Sequence, residues 1–303
     1  MLSYARPGLP VAPLSARGGA QAAWTGREMV LWGGEGVGKG PQGLVDGAAY
    51  SPASGWRHIA PAPGRGRAGG QALYVDGRVV TFGGVSSEGI SAAREVLVYA
   101  VAADRWTSFR EPWRVEDAVT NGNSLVLTEV DDAGAVHLRL VALDGSLIDE
   151  QSALPLPGGA VMGVGSAVLP GGQLVLLATT ASGRTTVLSG RLKATALPAS
   201  WSSAGVTGGS VTSPVDVSAG FRGLAVPLSA DALLVASSGR VSVLQPDGGR
   251  VLASVVASGG SAACGVSGAL AWTGSQVLSW GGQRCDGGAA SVSGAGTSWV
   301  IRP

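Results

Sequence analysis

Four arginines of this 303-residue chain, Arg17, Arg67, Arg114 and Arg222, each stand a few residues ahead of an apolar stretch. A guanidinium group presents a planar fork that grips a carboxylate through two hydrogen bonds, so a converging set would suit a carboxylate or an acidic sugar. Glu116, two residues beyond Arg114, could move the proton that chemistry on such a ligand requires. Trp113 and Trp201 could stack on a sugar ring. Each reading has a plain competitor. Lys39 and Lys193 are the only lysines among the 21 basic side chains, so arginine is the default cation here, and solvated or strand-bridging arginines account for the same residues. Trp113 and Trp201 serve equally well as packing.

Other chemistry is hard to assemble. The two histidines, His58 and His137, fall within strand-like segments far apart, and no metal site follows from them. The chain has no G-x-S-x-G elbow, no P-loop and no His-Glu pair at helical spacing. The glycine-rich segments GEGVGKG and GGSVTSP lack a following helix whose N-terminus could take a phosphate, so they read as long loops. No cofactor is expected.

The elements that would have to position these residues are hairpins. WTGREMVLWGG at 24–34, YVDGRVVTFGG at 74–84 and WTGSQVLSWGG at 272–282 share one plan: an apolar strand, a tight turn with Gly26, Gly77 or Gly274, an alternating strand and a glycine pair. Turn glycines supply the positive φ that short hairpins need, and alternation has the period of a pleated strand. The first two copies continue to a tyrosine (Tyr50, Tyr99) and then a tryptophan (Trp56, Trp106).

That order resembles the kelch repeat, whose period is about 50 residues; Gly33-Gly34 and Gly83-Gly84 are spaced accordingly. DGAAYSPASGW followed by RHIAPAPGRGR at 46–67 is similar to kelch repeats of exported bacterial proteins. The resemblance implies an all-β fold, a kelch-type β-propeller of four-stranded antiparallel blades. Trp24, Trp32, Trp56, Trp106, Trp272, Trp280 and Trp299 would then pack blade against blade. Kelch enzymes that equilibrate sialic acid anomers are the precedent for the arginine set. Galactose-oxidase-type propellers hold copper with two histidines and two tyrosines, a set this chain does not reproduce.

The middle of the chain lacks the glycine pair, and its blades follow from strand rhythm alone. Six blades are expected, at about 18–62, 68–112, 117–151, 163–203, 221–257 and 263–303, forming a single domain over 1–303. In such meanders the loops between second and third strands and the linkers between blades share one face. The long segments 33–47, 110–117 and 198–223 fall there, and so do the arginines; loops on a rigid scaffold are where binding residues concentrate. TSWVIRP at the C-terminus resembles the GWRHIAP that ends the first repeat, so the last blade is expected to come entirely from the C-terminus. Addition of Leu2–Arg6 to that blade is the alternative.

Composition agrees with a buried β protein: 50 glycines, 14% charged residues and a mean hydropathy of +0.29. A net charge of +1 gives no basic field for nucleic acid or anionic membrane. No apolar run reaches membrane-span length, and MLSYARPGLPVAPLSARGG has no signal-peptide core. Either the chain is cytoplasmic or a signal has been removed. The two cysteines bear on that choice. With Thr273-Gly274 as the hairpin turn, Trp272 pairs with Ser275 and Cys264 falls opposite Gln283, two residues short of Cys285. A Cys264–Cys285 disulfide is expected, and it favours a periplasmic or secreted protein. The expected function is recognition or scaffolding, binding a protein or glycan by the long-loop face, with no nucleic acid and no membrane insertion. The alternative is a small-molecule isomerase or cyclase working on an acidic sugar-like substrate at the channel mouth.

Overall fold

A computed structural model describes residues 2–3, 9–36, 43–86, 93–152, 154–156, 160–209, 215–216, 221–222, 224–237, 240–256, 268–274, 276–286, 289–292 and 296–301. The described residues are β-strands joined by turns, with no α-helix. The chain forms two compact units, one of Met1–Ser108 with Ala263–Pro303 and one of Phe109–Ala262.

In the first unit, β2 (Gln21–Trp24), β3 (Met29–Trp32), β4 (Gly47–Ser51) and β5 (Gly55–Ile59) form an antiparallel meander in chain order. β6 (Ala68–Val75), β7 (Arg78–Val85), β8 (Glu95–Ala100) and β9 (Arg105–Arg110) repeat it. The β6–β7 turn needs only Asp76 and Gly77, at φ 45° and 74°, the mirror-image turn whose twist matches the strands it joins. The glycine pair after β3 has a different task. Gly34 sits at φ 93°, and a Cβ there would lie 2.8 Å from the Gly18 carbonyl oxygen, so only glycine lets the chain ahead of β2 pass so close. The Gly34 amide in turn donates to the Arg67 carbonyl at 2.7 Å.

Aromatic rings tie these sheets together. Tyr50 packs on Trp56 and Tyr99 on Trp106, with ring centroids 5.0 and 4.9 Å apart. Trp32 of β3 reaches Trp106 of β9 at 5.6 Å, and the Trp106 indole N–H donates to the Ala60 carbonyl. The same joint recurs where Trp280 meets Trp56 at 6.4 Å. Trp32 and Trp280 are fully buried, which at about 25 cal/mol per Å² and 150–250 Å² per aromatic side chain favours folding by up to roughly 4–6 kcal/mol each.

The remaining four-stranded sheet of this unit departs from the expected order. β24 (Ala269–Trp272) and β25 (Gln276–Trp280) form its hairpin, but the next strand is β28 (Gly296–Ile301), and its outer strand is β1 (Leu2–Ser3) from the N-terminus. Leu2 pairs with Ile301 and Ser3 with Val300. TSWVI is therefore a third strand, not a fourth. The chain between β25 and β28 folds on itself as a ribbon of β26 (Gln283–Asp286) and β27 (Ala289–Val292). That ribbon uses the residues expected to form a third strand, which leaves the outer edge for β1.

The second unit holds β10 (Arg114–Asn121), β11 (Ser124–Val130), β12 (Val136–Ala142) and β13 (Leu147–Gln151), again in chain order. The segment expected as a long loop at 110–117 is mostly strand: only Glu111–Trp113 separate β9 from β10. Next come β14 (Val161–Leu169), β15 (Gln173–Thr180), β16 (Thr185–Arg191) and β17 (Ser202–Gly205). A short ladder of β18 (Val215–Asp216) and β19 (Phe221–Arg222) precedes the last meander. That meander is β20 (Leu224–Pro227), β21 (Leu233–Ser237), β22 (Arg240–Gln245) and β23 (Arg250–Val256). So the stretch 198–223 also carries β17 and this ladder. Alternating aliphatic residues such as Val175, Leu177 and Val187 pack against Leu233, Val235 and Leu244 of the following sheet.

Candidate functional site

Arg17 and Arg67 occupy equivalent places, four residues ahead of Gln21 and Gln71. Both are buried, at 1% and 0% exposure, and both are used inside the first unit. Arg17 grips the Asp46 carboxylate at 2.8 and 3.0 Å and donates to the Gly33 carbonyl. Its hydrogen bonds hold the Asp46 carboxyl below the ordinary aspartate range. Arg67 donates to the Glu95 carbonyl at 2.6 Å and to its carboxylate at 2.9 Å, and its guanidinium lies 6.0 Å from the Trp32 ring centre. Burial lowers its pKa, against the opposing pull of Glu95. Asp46 stands just ahead of the third strand β4, and Glu95 is the first residue of the third strand β8. Each pair braces the chain entering a sheet to the third strand of that sheet.

In the second unit the same place is filled differently. Trp113 stands four residues ahead of Asp117, and His137 corresponds to Asp46 and Glu95 by strand register. The two rings stack 3.8 Å apart at 13°. The His137 Nε2 lies 3.0 Å from Asp131 Oδ2, and that contact lowers the Asp131 pKa. Trp113 is thus committed to a protein ring.

Beside this stack several charges converge. Counting from the hairpin mouth, Thr120 opposite Leu125, sets Glu129 where β3 has Gly33. Glu129 is fully buried, with the Glu111 carboxyl and the Trp113 backbone N–H as its neighbours. Arg139 of β12 lies 3.8 Å from it, 2.8 Å from Glu111 and 2.6 Å from Glu150 of β13. Burial, then the charge of Glu111, pushes the Glu129 carboxyl up to about 9, with Arg139 opposing. Arg114 approaches Glu116 at 3.8 Å, and Glu116 is 2% exposed. Sequence reading singled out Arg114, Glu116 and Trp113 but missed Glu111, Glu129, Arg139 and Glu150. A signal existed: Glu129 is the one charge in SLVLTEV, a strand otherwise fit for full burial.

Trp201 is packed among Leu154, Leu188 and Leu197, with its indole N–H donating to Gln151 at 3.1 Å. It has the packing role of Trp56 and Trp106. Arg222 pairs with Val215 in the β18–β19 ladder, and its side chain lies outside the described residues. His58 is exposed on β5. Cys285 lies in β26 opposite Ala290; Cys264 lies outside the described residues.

An open cleft of about 890 Å³ does exist in the second unit, at the end of the β14–β17 sheet where linkers and the β15–β16 turn meet. Pro155 and Leu156 form one wall, Arg184, Thr185 and Thr186 the turn side, and Ser203–Thr207 with Gly209 the other wall. Its surface mixes hydroxyl and backbone groups with apolar side chains, and Arg184 is the one charged side chain among the described residues that line it. A Cβ added to Gly205 would meet nothing within 4 Å, which is the mark of empty space beside the strand.

No family model matches the chain, and no curated protein matches it. Among solved structures it is similar to one titled "Structure of YjhT", at 15% identity and a TM-score of 0.59, covering 93% of this chain and 95% of that one. That likeness is one of fold. The chain has an all-β, propeller-like fold of repeated four-stranded antiparallel sheets. No helix among the described residues is long and apolar enough to cross a membrane.

Proposed function

We propose that the chain is a recognition or scaffold propeller of six kelch-like blades in one domain, which binds a protein or a glycan at its linker-and-loop end. The observation that carries this reading is the open cleft lined by Thr185, Thr186, Ser203 and Thr207. Hydroxyls and backbone groups beside a rigid sheet suit the hydrogen-bonding surface of a glycan or an extended peptide, as polar groups on a scaffold usually do. Catalysis on an acidic sugar needs several titratable groups converging in an accessible pocket. Here the converging charges, Glu111, Glu129, Arg139 and Glu150, do not line the cleft. Arg17 and Arg67 are engaged by Asp46 and Glu95, which favours the bracing role for them. Export to an oxidising compartment belongs to the same reading and depends on the Cys264–Cys285 bridge.

Gly205→Trp tests the proposal, because a Cβ at this position meets nothing within 4 Å and an indole carried on it would occupy the cleft. Wild-type and variant proteins are presented to a glycan array and to extract from the native source, with captured species identified by mass spectrometry. Capture by the wild type and its loss in the variant, at a melting temperature within a few degrees, supports the cleft. Equal capture by both places binding elsewhere.

A further inference from the structure

The Glu111–Glu129–Arg139–Glu150 cluster has a consequence that is independent of what the cleft binds. Three carboxyl groups surround one guanidinium, and two of them, Glu111 and Glu129, have side chains only 2% and 0% exposed. With all four groups ionised, the cluster would hold a net charge of −2 around Arg139, and Glu129 would face the charge of Glu111 with only Arg139 and the Trp113 backbone N–H to offset it. Isolated buried charge is far costlier than a buried neutral carboxyl, so the cluster is built to keep a proton. Glu111 belongs to the three-residue linker Glu111–Trp113, which enters β10 and carries the ring stacked on His137.

We propose that a proton held by the Glu111–Glu129 pair clamps this linker to β11 and β12, and that its removal releases the linker and unstacks Trp113 from His137. The groups facing the pair set the sign. Arg139 of β12 and the Trp113 backbone N–H stabilise the ionised form of Glu129, whereas burial and the charge of Glu111 oppose it; Glu150 of β13 shares Arg139. Arg114 of β10 is turned to Glu116 at 3.8 Å, and His137 is held by Asp131 of the β11–β12 turn at 3.0 Å. The balance leaves Arg139 as the one cation within 4 Å of Glu129 among the described residues. When Glu129 ionises, the like charge of Glu111 is the nearest repulsion that movement can relieve. Glu111 stands on a short linker and can move, whereas Glu129 is fixed in a ladder on both sides.

Hydrogen–deuterium exchange of peptides covering 110–116, corrected for intrinsic base catalysis, follows the linker directly. Between pH 7 and pH 10 the wild-type linker is expected to gain at least tenfold in corrected exchange while peptides from β15 and β16 stay level. Glu129→Gln, which mimics the protonated acid, should keep the linker protected to pH 10. Glu111→Gln should do the same and serves if the first variant fails to fold. A flat wild-type profile overturns the proposal, and so does an unchanged rise in the variant that folds.

Discussion

Trp113 stacks on His137 at 3.8 Å in the position where Arg67 holds Glu95 and Arg17 holds Asp46. The brace between incoming linker and third strand therefore recurs in these three sheets, with its chemistry changed from an ion pair in two of them to a ring stack in the other. An ion pair needs a partner of opposite charge, and a second acid at position 137 would sit directly across the ladder from Glu129. Cross-strand like charges are destabilising, and a stacked imidazole avoids that conflict.

The brace predicts a stability cost at Arg67. Arg67→Ala is expected to destabilise by about 2 kcal/mol, since it opens space beside Trp32 and removes the brace on Glu95, whose side chain is 34% exposed and stays partly solvated. Arg114→Ala, which loses only a 3.8 Å approach to Glu116 where Arg67 makes a 2.9 Å bond, should cost less. Chemical denaturation of both variants checks this; equal, small losses would return Arg67 to the list of candidate ligand-binding groups.

Glu129 predicts a slope of stability with pH. Its folded pKa, pushed up to about 9, lies above the value of an unfolded glutamate, so the folded state binds the proton more tightly. Its contribution is whole below the unfolded pKa, falls through the window from about 4.5 to 9, and is gone above it. Wild-type melting temperature should drop across that window more steeply than that of Glu129→Gln. Parallel curves would show that Glu129 ionises without penalty.

The aromatic joints predict a large core effect. Trp280→Ala or Trp32→Ala is expected to cost about 3–5 kcal/mol, because each indole is fully buried and each contacts the tryptophan of a neighbouring sheet. Removing residues 1–6 should also lower the melting temperature, since Leu2 and Ser3 cover the edge of β28. A truncated protein as stable as the whole would show that this pairing contributes nothing in solution.

Where the repeat signature was strong, the sequence could be read closely. The hairpins at Gly26 and Asp76-Gly77, the Tyr–Trp pairs and the packing role of Trp32, Trp56, Trp106 and Trp280 follow from residue type and period, because each occupies a position local sterics restrict. The outer strand at Leu2–Ser3 was hard to see, as a two-residue pairing across the whole chain leaves no periodic trace. Arg17 and Arg67 looked like ligand groups because nothing in sequence marks Asp46 and Glu95 as their partners. The β15–β16 cleft was invisible for a related reason: its threonines and serines are ordinary strand-end residues until the fold gathers them.

The cysteines carry the last prediction. β24 and β25 pair with Ala269 opposite Trp280 and Trp272 opposite Val277, a register two residues away from the one expected from a Thr273-Gly274 turn. Cys264 lies outside the described residues and Cys285 stands in the β26–β27 ribbon opposite Ala290, so the bridge rests on the chain having two cysteines near one hairpin and on the roughly 4.4–6.8 Å Cα separation that a disulfide spans. Closing about 20 residues would add roughly 3 kcal/mol in the chain-entropy treatment. It would also anchor the β26–β27 ribbon to the start of the hairpin whose sheet β1 completes. Disulfides persist mainly in oxidising compartments, so the bridge is also the main support for export. Intact mass after alkylation of the denatured, unreduced chain decides it. No label is expected without reductant and two labels with it; two labels without reductant would remove both the bridge and the argument for an exported protein.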